Sequence, residues 1–312
     1  MRETSRRDFV AACFAGALLP QAPPKSRVVV ARDSEKPDPA RLLALLDRTV
    51  QALENRDSAR EAWRNIVRPG ETIGLKVNCL AGRGPGASTT PALVEAICER
   101  LQQAGVPAKN IIVFDRLNED LESAGFRIQQ RGGGIRVQGN DGWGYEADLM
   151  VYGSAGSLVS KALTRVCDAV INLPVLKDHS IAGVTLALKN MFGAIHNPNK
   201  YHVTAGNPYV ADVFMLPPIR QKVRLSICEG LVAQYEGGPS YMPQWGWPFH
   251  GLIASRDPVA LDYTGWQIIE KKRAEMGMKS LQELKRAPDY IATAAQRRLG
   301  TNDPRMIDRV EV

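Results

Sequence analysis

TIGLKVNCLAGRGPGASTTPALVEAICERLQQAGVPAKNIIVFDR, residues 72–116, decides the fold. Residues 72–78 alternate, with Ile73, Leu75 and Val77 on one side and Lys76 and Asn78 on the other, the two-residue period of a strand. A glycine-rich loop follows. Thr90 is placed to N-cap a helix, Pro91 occupies the first helical position, where its missing N–H is harmless, and Gly105 ends it. The apolar run 110–116 then reads as a second strand closing on Asp115. Strand, helix and strand at this spacing predict a βαβ unit and a parallel sheet.

The same pattern recurs along the chain. Residues 27–33 predict a first strand, and Pro39 begins a helix with Leu42, Leu43, Leu45, Leu46, Val50 and Leu53 on one stripe. Residues 168–177 read as a strand, and the apolar run from Val184 to Ile195 as a helix. A further strand ends in Glu229; another, at 251–255, leads into a helix with Asp257 as N-cap and Pro258 at its first position. The fold class is therefore α/β, a mostly parallel sheet with helices on both faces and long irregular loops at the strand carboxyl ends. The main domain is expected over 26–278, with 279–312 a helical tail packed on its outside.

Residues 5–20, SRRDFVAACFAGALLP, place Arg6 and Arg7 before a short apolar run that ends in a proline-rich breaker. That run is shorter than the ~18 residues needed to span a bilayer, so residues 1–25 read as a signal peptide that resembles the twin-arginine type. The expected location is periplasmic or otherwise exported, with the twin-arginine machinery as a partner and no stable membrane span in the mature chain. The formal charge is +7, but Lys and Arg are dispersed and no nucleic-acid motif is present. A mild positive field instead favours a small anionic ligand. The cysteines left after the signal (Cys79, Cys98, Cys167 and Cys228) show no zinc or iron–sulfur spacing.

Ligands of open parallel sheets bind beyond the carboxyl ends of the strands. Those ends carry Lys76, Asn78, Lys177, His179 and Glu229. Residues 173–202, LPVLKDHSIAGVTLALKNMFGAIHNPNKYH, add Lys189, Asn190, His196 and His202 to an apolar background. A buried lysine is costly unless an anion pairs it or its pKa falls, which makes Lys189 a candidate base, Schiff-base amine or anion clamp. On the expected helix, Thr185, Lys189 and His196 share a face. Lys177 and His179, two apart after a strand, point the same way. Catalytic roles are thus assigned to Lys177, His179 and Lys189, and substrate-binding roles to Lys76, Asn78, Thr90, Asn190, Glu229 and Asp257. His179, His196 and His202 would serve a divalent metal, though without the H-x-x-x-H spacing of strong metal sites. The irregular segment 234–250, with Trp245 and Trp247, reads as a lid or pocket wall.

Several of these phrases together, IGLKVN, TTPALVEAI, INLPVLKDHSIAGVTLALKNMFGAI, EGGP and LIASRDPVALD, resemble the family known as domain of unknown function 362 over about residues 70–275. Some members of that family carry ferredoxin-like cysteine runs; this chain lacks them, so the resemblance implies no cluster here. The function expected is an enzyme acting on a small anionic substrate, a carboxylate or phosphate, through a Lys/His/Asn pocket. The alternatives are a non-catalytic periplasmic ligand- or cofactor-binding protein, or a metal or redox accessory protein.

Overall fold

Alternation along the first strand, β1 (Ser26–Arg32), sends Val28 and Val30 into one hydrophobic core and Val29 and Ala31 into another. The two cores are the two faces of one sheet, as strands with helices on both sides require. The computed structural model describes residues 24–84 and 86–312. The twin-arginine motif and its apolar run lie outside the described residues.

The remaining strands of the chain's first half are β2 (Ile73–Lys76), β3 (Ile111–Phe114), β4 (Arg136–Val137) and the separate hairpin β5 (Met150–Tyr152) with β6 (Ala155–Ser157). Then come β7 (Ala169–Asn172), β8 (Val175–His179), β9 (Gly183–Thr185), β10 (Val223–Gln234), β11 (Gly246–Trp247), β12 (Gly251–Ser255) and β13 (Ile307–Glu311). The main sheet runs β13-β1-β12-β10-β7-β2-β3-β4. The run from β10 through β7, β2 and β3 to the edge strand β4 is parallel throughout, whereas β12 is antiparallel to both β10 and β1. Helices α1 (Pro39–Glu54), α2 (Ala59–Ile66) and α3 (Pro91–Ala104) cover one face. The one-turn α4 (Ala187–Asn190), α5 (Tyr209–Phe214), α6 (Pro258–Glu275) and α7 (Tyr290–Gln296) cover the other. The architecture is α/β, with a mixed sheet of mostly parallel strands.

The helix starts follow the local chemistry. Thr90 accepts a hydrogen bond from the Leu93 N–H, and Gly105 closes α3 in the left-handed conformation. Asp257 accepts from Val259 and Ala260 at the start of α6.

Two expectations are corrected. No helix spans Val184 to Ile195: the chain makes β9, then the single turn α4, then a 3-10 turn over Met191–Ala194. Gly183 explains the start of this path. Its φ is +78°, and a Cβ there would stand 2.3 Å from the Arg286 carbonyl oxygen, so the chain turns back as a hairpin against β8. The tail beyond 279 is also more than helical. After α7 it ends as β13, pairing in parallel with β1 at the sheet edge.

Candidate functional site

In the β8–β9 hairpin Lys177 lies opposite Thr185, and the pleat sends Lys177, His179 and Thr185 to one side. All three line a cavity of about 400 Å³ at the carboxyl ends of β2 and β8. Lys76, Asn78, Asp115, Lys189, Asn190, Phe192 and His202 also line it, together with Arg116 and Asp120. Asp178, pointing the other way, accepts from the Gly238 N–H at 2.8 Å and so fixes the Gly238–Pro239 segment beside the pocket. Trp245 and Trp247 do not reach the cavity; they pack on Tyr235.

The turn that carries Lys189 is held from behind. Asp262, in the second turn of α6, accepts from the Ala187 and Leu188 N–H groups at 2.7 and 3.1 Å. Asn190 then ties three elements together. Its side-chain oxygen accepts from Asn78 at 3.0 Å, and its NH₂ donates to Asn172 at 2.8 Å. Sequence reasoning missed Asn172 and Asp262, although both are buried polar groups in apolar segments.

The three lysines differ in their partners. Lys76 pairs with Asp115 at 2.7 Å, and Asp115 in turn accepts from the Cys79 and Arg116 N–H groups. Lys76 is thus a compensated charge that braces the wall. Lys177 donates to the carbonyls of Ala87 at 2.6 Å and Pro239 at 3.2 Å, which leaves one of its three N–H bonds uncommitted. Lys189 lies 3.0 Å from Nε2 of His202 and 5.0 Å from the centroid of the Phe192 ring. Neither Lys177 nor Lys189 meets a carboxylate among the described residues. Burial accordingly lowers the Lys177 pKa to about 8. Burial, followed by the charge of Lys177, lowers that of Lys189 to about 7.

His179 is held neutral. Its Nδ1 accepts from the Ile181 and Ala182 N–H groups, both at 3.1 Å, so its proton sits on Nε2. Burial and the neighbouring Lys189 push its pKa far down. Its ring stacks on that of His202, with centroids 5.4 Å apart. Two buried oxygens of the pocket residues, Asn78 Oδ1 and Thr185 Oγ1, have no hydrogen-bond partner among the described residues.

The other expected site residues go elsewhere. Glu229 sits within β10, buried, accepting from the Thr90 N–H at 2.8 Å; burial raises its pKa to about 7. Glu229 and Thr90 therefore satisfy each other outside the cavity wall. Asp257 follows β12, whose antiparallel course carries the chain away from the parallel strands' carboxyl ends, and there it caps α6 and binds Ser26 and Thr301. His196 leaves the pocket and packs edge-on against Tyr145. The three-histidine metal set is thus not assembled, and no group of three His, Cys, Asp or Glu side chains is arranged for a metal among the described residues. The donors present fit a cation poorly, because His202 Nε2 already faces an ammonium and His179 Nδ1 two amides. Among the described residues Cys79, Cys98, Cys167 and Cys228 are buried and free, and no described helix is long and apolar enough to cross a membrane.

This arrangement, a cationic pocket at the carboxyl end of a mostly parallel α/β sheet, defines the class of protein. Residues 73–267 match the family described as Domain of unknown function (DUF362), and the chain belongs to that family. It is 30% identical over 231 residues to a thylakoid-associated protein of Synechocystis sp., a match covering 70% of this chain and 69% of that one. Among solved structures it resembles the lactate racemase apoprotein of Thermoanaerobacterium thermosaccharolyticum, with a TM-score of 0.44 at 9% identity over 78% of this chain and 57% of that one. A Thermotoga maritima protein gives 0.42 at 10% identity, over 78% and 60%. The chain spans less than two thirds of either solved structure.

Proposed function

We propose that this protein is an enzyme acting on an anionic substrate, a carboxylate or phosphate, held in the Lys177–Lys189 cavity. One observation carries the reading: two buried ammonium groups line one pocket, and neither is paired with a carboxylate among the described residues. An unpaired buried charge costs several kcal/mol on the order-of-magnitude scale, so such a site gains most when an anion arrives. Lys177, fixed by two carbonyls and the more basic of the two, holds the anion with its remaining N–H. Lys189, near-evenly divided between amine and ammonium at neutral pH, takes a proton from the substrate, with His202 Nε2 as the next acceptor. His179, neutral and protonated on Nε2, is a hydrogen-bond donor rather than a base.

The test is exchange of substrate protons. A panel of small carboxylates and phosphate esters in D₂O, followed by proton NMR, is expected to show protein-dependent loss of a C–H signal that Lys189→Met abolishes. If panel members bind but none exchanges, the protein is a binding module. If none binds, the anion reading is wrong.

We also propose export by the twin-arginine route, supported by Arg6, Arg7 and the short apolar run after them. Cell fractionation tests it: a cytoplasmic wild-type protein, unaffected by replacing both arginines with lysine, contradicts the route.

A further inference from the structure

We propose that the ligand of this cavity carries a hydrocarbon chain or ring beside its anionic group, received by a subsite of Leu80, Ile181, Phe192, Pro198 and Pro239. This rests on the reading of Lys177 and Lys189 as the anion-holding end.

Leu80 is 59% exposed and Ile181 49% exposed, and both line the same cavity as the lysines. A single exposed leucine is ordinary surface. Two large aliphatic side chains on the wall of one pocket, which a phenylalanine and two prolines also line, give that wall a largely apolar lining instead. Neither sits on unsupported backbone. The Ile181 N–H is held by His179 Nδ1 at 3.1 Å, and the residue before Leu80, Cys79, gives its N–H to Asp115 at 2.7 Å. The polar residues of the floor thus fix the apolar residues of the wall in position.

Size points the same way. A cavity of about 400 Å³ falls in the ~300–1,000 Å³ range of pockets that enclose drug-sized molecules, well beyond the needs of a two- or three-carbon acid. Arg116, Asp120, Ser180 and Asn199 also line the cavity, yet most of its lining surface is hydrocarbon. An amphiphilic anion matches both parts, and a flat protein partner would not enter a concave site.

Calorimetric titration with straight-chain carboxylates from propionate to decanoate, below their micelle concentrations, tests this directly. Octanol serves as the uncharged control. Affinity is expected to rise by about three- to fourfold per methylene until the wall is covered, following the free energy of burying each CH₂. Leu80→Ser/Ile181→Ser flattens that dependence, and because both side chains are largely exposed the variant's folding is checked simply by its Tm. Lys177→Met weakens every acid. Propionate binding with no gain from added methylenes overturns the apolar subsite and leaves the anion site standing. Octanol binding as tightly as octanoate overturns the anionic end, and failure of all acids to bind overturns both.

Discussion

The Nζ of Lys189 lies 3.0 Å from Nε2 of His202, while Nδ1 of the same ring faces the Asn199 carbonyl at 3.3 Å. The second contact places the ring proton on Nδ1 and leaves Nε2 to accept from the lysine. A buried amine therefore has an imidazole where a buried ammonium would ordinarily have a carboxylate. That relationship sets the behaviour of the pocket with pH.

Lys189 has its pKa lowered from 10.5 to about 7, chiefly by burial. Between those values the unfolded chain keeps a proton that the folded protein has released, so stability rises with pH across that window. Below about pH 7 both states are protonated and the folded protein bears the whole cost, on the order of 5 kcal/mol at ~1.4 kcal/mol per pH unit. Lys189→Met removes it. The variant is expected to melt above the wild type at pH 6, with the gap closing towards pH 10; parallel curves of Tm against pH would contradict the burial of an unpaired charge.

Asp115 and Lys76 form a buried pair, in which removing one partner strands the other. Asp115→Ala strands the Lys76 ammonium and two backbone N–H groups, and is expected to cost about 3–5 kcal/mol in urea denaturation. Adding Lys76→Met removes the stranded charge. The double variant should recover much of the loss, whereas additive losses would show that Lys76 is not compensated by Asp115.

Gly193 is required by close approach. A Cβ there would stand 2.5 Å from Asp115 Oδ1 and 2.7 Å from Lys76 Cε. Gly193→Ala is expected to displace that pair and lower stability by about 1–3 kcal/mol, the usual scale for forcing an extra carbon into a packed site. An unchanged denaturation midpoint would mean the pair has room to move.

Asp262 positions Lys189 without touching the cavity. Burial pushes its carboxyl pKa well up, opposed by the two N–H groups it accepts. Asp262→Ala leaves those amides unsatisfied at roughly 1–3 kcal/mol each and frees the turn. Asp262→Asn keeps one acceptor and should restore part of both stability and carboxylate affinity. Equal affinity in the two variants, at unequal stability, would show that Asp262 supports the fold but not the site.

How much of this was legible in the sequence depended on how local the cause was. Thr90–Pro91 and Asp257–Pro258 announced their helices because capping is decided within four residues. Lys177 and His179 were legible because a strand alternates, and the hairpin keeps them on one side. Lys189 stood out as a charge among apolar neighbours. The failures were long-range. The apolar run after Gly183, with Leu186, Ala187, Leu188 and Met191, has helix-forming residues, but pairing with β8 and the Arg286 carbonyl behind Gly183 override their propensity. Thr185, Lys189 and His196 consequently do not share a helical face, and His196 leaves the site. Asp257 was misplaced because the direction of β12 is set by its partners β1 and β10, which its own residues do not encode. Glu229 is not a strand end, because β10 continues past it to Gln234.

The most direct test is the titration of the two lysines themselves. In protein carrying ¹⁵N-labelled lysine, with Lys177→Met and Lys189→Met variants for assignment, NMR should find one side-chain nitrogen titrating near 8 and another near 7. Both should shift upward when octanoate is added, since a bound anion favours the ammonium form. Two lysines titrating near 10.4, indifferent to the acid, would mean that both are already satisfied by water or a bound anion, and the cavity would hold no unpaired buried charge for a ligand to relieve.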